Sequence, residues 1–169
     1  LDADALVKFL AQRSVLVTGA GGSIGSELCR QIVRYKPRLL VLFDMSEFAL
    51  YTLREEFVAL FPDVSLVCAV GDVKNATRVD AVMAAYRPAV VFHAAAYKHV
   101  RMVQENVFAG IHNNVFGTRA CAEAAMENGV KRFILISTDK AVRPTSVMGA
   151  SKRVAEMIVQ ALAAEKGHN

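Results

Sequence analysis

The side chains best suited to chemistry stand near the end of the chain. Ser137-Thr138-Asp139-Lys140 sets a hydroxyl, a carboxylate and an ammonium in succession, a hydrogen-bond donor, an acid and a base for one substrate. Met148-Gly-Ala-Ser-Lys152 follows, with a second lysine four residues after the methionine. A solvated turn capped by Thr138 or Asp139 would use the same residue types, and Met148 alone reads as a core residue of a helix. An earlier stretch, Val15-Leu-Val-Thr-Gly-Ala-Gly-Gly-Ser-Ile-Gly25, has the make-up of a phosphate seat. Gly19, Gly22 and Gly25 permit a tight turn and a close backbone approach. The free N–H groups around Ser23 and Ile24, at a helix start, would face the negative charge. The spacing is GxxGxxG and not the GxGxxG of the common dinucleotide fingerprint. By itself this turn says only that a phosphate can sit there.

Two acids extend that seat. Asp44 closes a predicted strand, where a carboxylate can accept hydrogen bonds from adenosine ribose hydroxyls and would repel a 2′-phosphate, which favours NAD over NADP. The alternative is an acid complementing the helix that Ser46 caps. Asp72 follows the next strand and could accept from an adenine amino group with Val73 against the ring, or could equally be an ordinary helix N-terminal acid. In His93-Ala-Ala-Ala-Tyr-Lys-His99, the small residues Ala94, Ala95 and Ala96 would let a flat cofactor lie on the backbone, and Tyr97, Lys98 and His99 form a polar cluster beyond the strand.

The elements that must position these residues alternate. Short apolar runs at Val15–Val17, Leu39–Phe43, Val64–Val70, Ala89–His93 and Phe133–Ser137 read as buried strands. Between them lie predicted helices at 26–35, 47–60, 76–86 and 103–127, with a last one at 147–164. The pattern βαβαβαβαβα without a hairpin signal predicts a doubly wound parallel sheet, a Rossmann-like three-layer α/β/α fold of strand order 3-2-1-4-5. In such sheets ligands bind at the carboxyl ends of the strands, where all these motifs fall. Residues 1–13 read as a helical extension, with an amphipathic helix at 2–11, and 14–169 as one domain.

Composition narrows the classes. At 169 residues and 54% hydrophobic, the chain supports one well-cored domain and excludes disorder. No apolar run reaches the ~18 residues of a membrane span. The net charge of +4 is spread over Arg30, Arg34, Lys36, Arg38, Lys98, Arg101, Lys131, Arg132, Arg143, Lys152 and Arg153, with no dense run of a nucleic-acid arm. Cys29, Cys68 and Cys121 lack CxxC spacing and sit in apolar segments, so they read as buried thiols of a reducing compartment; His93, His99 and His112 do not complete a zinc set. A cytoplasmic location with no metal is expected.

Six stretches carry a family resemblance: TGAGGSIGSELCRQI (18–32), FDMSEFALY (43–51), GDV (71–73), HAAAYKHV (93–100), NNVFGT (113–118) and STDKAVRPTSVMGASKR (137–153). With them the chain resembles the extended short-chain dehydrogenase/reductase superfamily, and within it the bacterial UDP-N-acetylglucosamine 4,6-dehydratases of capsule, O-antigen and glycan synthesis. The resemblance implies NAD as cofactor and a UDP-sugar as substrate. It implies that Gly19, Gly22, Ser23, Ile24 and Gly25 hold the pyrophosphate, that Asp44 and Ser46 sit by the ribose, and that Asp72 and Val73 sit by adenine. Ala94, Ala95 and Ala96 would back the cofactor with Lys98 nearby, Asn114 matches the superfamily's helix asparagine, and Lys152 matches the lysine of the nicotinamide ribose. Thr138 matches the active-site hydroxyl, which would hold the sugar's C4 oxygen. Lys140 would remove the C5 proton, and Asp139 would protonate the departing C6 hydroxyl.

The superfamily's catalytic tyrosine position holds Met148, whose thioether cannot accept a proton. The resemblance matches this to the long, membrane-anchored members of the group. Those members also carry an amino-terminal membrane region and a carboxyl-terminal substrate part, so the expectation is a cofactor-binding core, weak or inactive alone, with a membrane reached only through a region outside it. A homo-oligomer is left open. The rival readings are a nucleotide-sugar epimerase of the same superfamily and a non-catalytic NAD-binding module.

Overall fold

In the computed structural model, which describes residues 9–165, the alternation predicted from sequence is realised. Five strands, β1 (Ser14–Thr18), β2 (Leu39–Asp44), β3 (Leu66–Val70), β4 (Val90–His93) and β5 (Arg132–Leu135), form one sheet in the order β3-β2-β1-β4-β5. Every pairing is parallel. The helices are α1 (Ser23–Val33), α2 (Glu47–Leu60), α3 (Ala76–Tyr86), α4 (Val100–Glu105), α5 (Val107–Ile111), α6 (Gly117–Glu127) and α7 (Val147–Glu165). Of the amino-terminal helix expected over residues 2–11, only Phe9, Leu10 and Ala11 fall in the described range; Phe9 and Leu10 are helical, Ala11 is in a turn, and Leu10 is buried. The last helix, expected over 147–164, is observed over Val147–Glu165.

Side-chain alternation explains why both faces are covered. Val15 and Val17 of β1 and Leu40 and Leu42 of β2 point to one side, where they meet Ile32 and Val33 of α1 and Leu50, Leu53 and Phe57 of α2. Leu16, Val41 and Phe43 point to the other, against Val79, Val82 and Met83 of α3 and Cys121, Ala124 and Ala125 of α6. An apolar side chain fully buried in this way contributes about 1.5–3 kcal/mol, so the central strands β1 and β2 anchor the domain. The cores also hold Cys29 and Cys121, where burial raises both thiols far above their ordinary range and leaves them inert.

Several boundaries differ from expectation, each for a local reason. Helix α1 begins at Ser23, three residues earlier than predicted, with Gly22 as its extended N-cap. Strand β3 begins at Leu66 because Val64 closes a turn onto Phe61 O at 3.1 Å. The single helix predicted over 103–127 is in fact α4, α5, a π-helical turn at His112–Phe116, and α6. Asn106, at φ −133°, ends α4 and starts α5. The π turn widens the helix where Asn113 and Asn114 point inward, and Gly117 then lets α6 close on Val73, where a Cβ would approach Val73 Cγ2 to 2.9 Å.

Candidate functional site

The carboxyl ends of the strands open into two adjoining cavities that share Gly22, Ala94, Ala96 and Tyr97 as their common wall. The cavity over β2 and β3, about 180 Å³, is lined by Gly19, Asp44, Asp72 and Val73. The other, about 260 Å³, runs from Ser23, Ile24 and Gly25 across to Thr138, Lys140, Met148 and Lys152. Residues separated by more than a hundred positions thus line one cleft because parallel strands all deliver their ends to the same edge.

The glycine turn is built to stay open. Gly19 has φ +67°, and a Cβ there would lie 2.6 Å from Ala95 N. At Gly25 a Cβ would fall on the Gly19 carbonyl oxygen. The strand β1 end, the β4 end and α1 therefore meet backbone to backbone, with the start of α1 aimed into the cleft. Asp44 ties this turn to β2: its Oδ2 accepts from Gly21 N at 2.9 Å and its Oδ1 from Ser46 N at 2.9 Å. A carboxylate has about four acceptor positions, so two remain for a ligand. Ser46 spends its hydroxyl on capping α2, accepting from Ala49 N at 3.2 Å, and does not line the cavity. Asp72 accepts from Lys74 N at 2.9 Å and pairs with Lys74 Nζ at 2.6 Å. Burial raises its pKa, but the bonds and charge of Lys74 outweigh that and hold the carboxyl below its usual range. Val73 is 5% exposed and serves the core as much as the cavity.

On the opposite wall, Lys98 reaches over the turn and its Nζ donates to Ser23 Oγ at 2.5 Å. Beyond β5, a 3₁₀ turn at Asp139–Ala141 is capped by Thr138, whose hydroxyl accepts from Lys140 N at 3.3 Å and donates to Asp139 Oδ1 at 3.0 Å. The Thr138 hydroxyl first, and Lys140 second, hold the Asp139 carboxyl below its ordinary range. The Lys140 and Asp139 side chains, 3.4 Å apart, are 55% and 88% exposed. Lys140 therefore lacks the burial expected of a lysine made neutral by desolvation. Lys152, by contrast, is buried, donates from Nζ to Ile136 O at 2.6 Å, and has its pKa lowered by desolvation despite Glu156. Met148 is 3% exposed at the cleft wall. Gly149 lets α7 press on the Lys140 carbonyl, which fixes the distance between the two motifs.

Asn114 lies beneath the cleft rather than in it. Its Oδ1 accepts from Tyr97 N at 2.8 Å, and its Nδ2 donates to Tyr97 O at 3.0 Å and Ser151 Oγ at 3.0 Å. It clamps the β4–α4 loop to α7. Sequence reasoning missed the group behind it. His93 is fully buried, with Nδ1 2.7 Å from Thr18 Oγ1 and Nε2 3.0 Å from Thr118 Oγ1. Because Thr118 donates its only hydroxyl proton to Asn114 O at 2.7 Å, it must accept from His93, which assigns the Nε2–H tautomer. The signal was a histidine closing an otherwise apolar strand, which needs polar partners to be tolerated there.

Burial, with a smaller effect of Lys152, lowers the His93 pKa to about 3. The unfolded chain would bind this proton near pH 6.5 and the folded chain would not, so its contribution is complete above about 6.5 and shrinks as pH falls toward 3. Between pH 6.5 and 4.5 the stability should drop by up to about 1.4 kcal/mol per unit. His93→Gln should flatten that slope in denaturant titrations while costing about 1–3 kcal/mol at neutral pH.

The chain has clear relatives. Residues 15–169 match the family described as polysaccharide biosynthesis protein. The capsular polysaccharide biosynthesis protein CapD of Staphylococcus aureus is 44% identical over 163 residues, 96% of this chain and 27% of that protein. A UDP-N-acetylglucosamine 4,6-dehydratase (inverting) of Campylobacter jejuni is 31% identical over 148 residues, 87% of this chain and 42% of that one. A UDP-glucose 4-epimerase of Rickettsia massiliae is also 31% identical, over 155 residues, 89% of this chain and 44% of that one. Among solved structures, Pen from Bacillus thuringiensis superposes with a TM-score of 0.87 at 33% identity, covering 94% of this chain and 47% of that one. The chain thus spans less than half the length of these proteins. Among the described residues no helix is long and apolar enough to cross a membrane, and no group of His, Cys, Asp and Glu could hold a metal ion.

Proposed function

The chain belongs to the polysaccharide biosynthesis protein family, and from that premise we propose that it holds NAD for the 4,6-dehydration of a UDP-sugar, UDP-N-acetylglucosamine first among them. The residues present fit the cofactor. The turn is a cradle that a Cβ at Gly19 or Gly25 would fill, the α1 start offers N–H groups to a pyrophosphate, and Asp44 has acceptor positions left for ribose hydroxyls. Lys98 would add a cation beside the phosphates, and Lys152 a donor at the nicotinamide ribose. NAD⁺, when bound, would supply the acceptor for the C4 hydride and, once reduced, the donor of that hydride to C6, so that the dehydration is redox-neutral overall.

The observation that carries the reading is the pairing, across one cavity, of Thr138 and Lys140 with a methionine four residues before Lys152. An oxidoreductase of ordinary mechanism in this superfamily needs a phenolic base at that place, and Met148 cannot be one. Elimination needs different groups, for which Thr138, Asp139 and Lys140 are the candidates. Thr138 would hold the C4 oxygen, Lys140 would take the C5 proton once C4 is a ketone, and Asp139 would return a proton to the departing C6 hydroxyl. In the open cleft Asp139 is held anionic and both side chains are solvated. A covering substrate must therefore exclude water before either can act. Which group receives the C4 proton is assigned to Asp139 or a water. The chain alone, at less than half its relatives' length, is expected to bind cofactor with little turnover.

The rival is the 4-epimerase activity named for the rickettsial relative. Proton NMR of the product formed from UDP-N-acetylglucosamine by a polypeptide of the relatives' full length separates the two. A 6-deoxy-4-keto sugar is expected; a C4 epimer retaining its C6 hydroxyl would replace this reading.

A further inference from the structure

The opposite edge of the sheet carries a different surface. The basic residues are dispersed along the sequence, yet parallel strands bring their preceding loops together just as they bring their ends together. Arg13, Lys36, Arg38, Arg87 and Lys131 precede strand starts, Arg132 is the first residue of β5, and all six are exposed. Backbone bonds fix them in one row: Gln12 N to Lys36 O at 3.2 Å, Arg38 N to Arg13 O at 2.9 Å, Ala89 N to Ser14 O at 2.8 Å, and Lys131 N to Ala89 O at 2.9 Å. Four strand starts at about 4.8 Å spacing make a level row about 14 Å across. Beside it, Arg34 joins Lys36 and Arg38 around a groove of about 610 Å³.

These cations are unpaired. Among the described residues none of them forms an ion pair, whereas Arg30, Arg101, Arg119 and Arg153 on helix flanks each pair with a glutamate. Helices also end at this edge and their carbonyls attract positive charge. Only Arg132, however, donates to a backbone oxygen, that of Lys131 at 3.0 Å. The acids nearby are Asp63 in the groove, Glu127 and Glu165 at helix ends, and Asp80, whose carboxylate accepts from Asn128 at 2.7 Å. They are too few to neutralise the row.

We propose that this edge docks on an anionic lipid bilayer surface, leaving the candidate site at the far edge open to soluble substrate. A cluster of about four to eight Lys/Arg at one level is what anionic headgroups recognise. The apolar component is aliphatic: Leu60, at the end of α2 next to the groove, is 63% exposed. Nucleic acid is the less favoured occupant, since Tyr35, Phe61 and Tyr86 at this edge pack against the cores and leave no exposed ring for a base to stack on.

The test is co-sedimentation of the 169-residue chain with vesicles of phosphatidylcholine containing about 30% phosphatidylglycerol, against pure phosphatidylcholine. Partitioning should be at least about tenfold stronger on the anionic vesicles and should fall as salt rises from about 50 to 300 mM. The variant Arg38→Gln/Arg87→Gln/Lys131→Gln should partition as on neutral lipid, while the charge-matched Arg101→Gln/Arg119→Gln/Arg153→Gln keeps most of the binding. Circular dichroism melting checks that both fold; if the triple edge variant does not, each single edge substitution should still lower partitioning. Equal binding to neutral vesicles overturns the proposal, as does equal loss in both triple variants. Displacement from the vesicles by stoichiometric duplex DNA would assign the edge to nucleic acid instead. The proposal does not depend on the cofactor reading, because the edge variant should bind NAD⁺ with unchanged affinity.

Discussion

Gly25→Ala should weaken NAD⁺ binding by more than about a hundredfold, the equivalent of about 2.7 kcal/mol, and destabilise the fold by about 1–3 kcal/mol. The new methyl group would land on the Gly19 carbonyl oxygen, 2.7 Å from Gly19 C and 3.0 Å from Ala20 Cα. All of these are backbone atoms that cannot rotate aside. Relief requires α1 to withdraw from the end of β1, and that movement opens the phosphate seat. Gly129 supplies the control. It has φ +69° but nothing within 4 Å of a Cβ, so Gly129→Ala should cost only about 1–2 kcal/mol of left-handed strain and leave cofactor affinity unchanged. Isothermal calorimetry and chemical denaturation of the two variants separate crowding at the seat from general loss of stability.

Lys140→Ala, in a polypeptide of the relatives' full length, should lower the rate of dehydration by about 10²–10⁴, the usual worth of a positioned general base. Binding should change little, because the Lys140 ammonium is half exposed and pairs with Asp139 at 3.4 Å. Hydrogen exchange at sugar C5, followed in deuterated water, isolates the step. Loss of that exchange with retained oxidation at C4 is the expected split. Near-normal exchange in the variant would mean that Lys140 is not the base.

The fold was legible because its signals are local and repeated. Glycines at 19, 22 and 25, apolar runs of three to seven residues, and the cap at Ser46 each act within a turn or a strand, so order and connectivity followed from the chain. The pieces that escaped depend on contacts between distant residues. Nothing near Asn106 or His112 in sequence announces that a long helix must break and then widen. That follows from Asn114 having to reach Tyr97 and Ser151 at once. His93 reads as one polar residue at a strand end until Thr18 and Thr118 stand on either side of it. Likewise the exposure of Lys140 is set by how the 3₁₀ turn faces solvent, and the anionic state of Asp139 by the Thr138 hydroxyl and Lys140 beside it. Side-chain order in Thr138-Asp139-Lys140 could suggest the chemistry but not that a covering layer is needed to run it.

The central claim, that the two cavities are one dinucleotide site read by Asp44 at one end and Lys152 at the other, is tested most directly by calorimetric titration of the chain with NAD⁺ and NADP⁺. NAD⁺ should bind with one-to-one stoichiometry and NADP⁺ at least about tenfold more weakly, since Asp44 would face the 2′-phosphate. Absence of NAD⁺ binding at millimolar concentration, or tighter binding of NADP⁺, would contradict it.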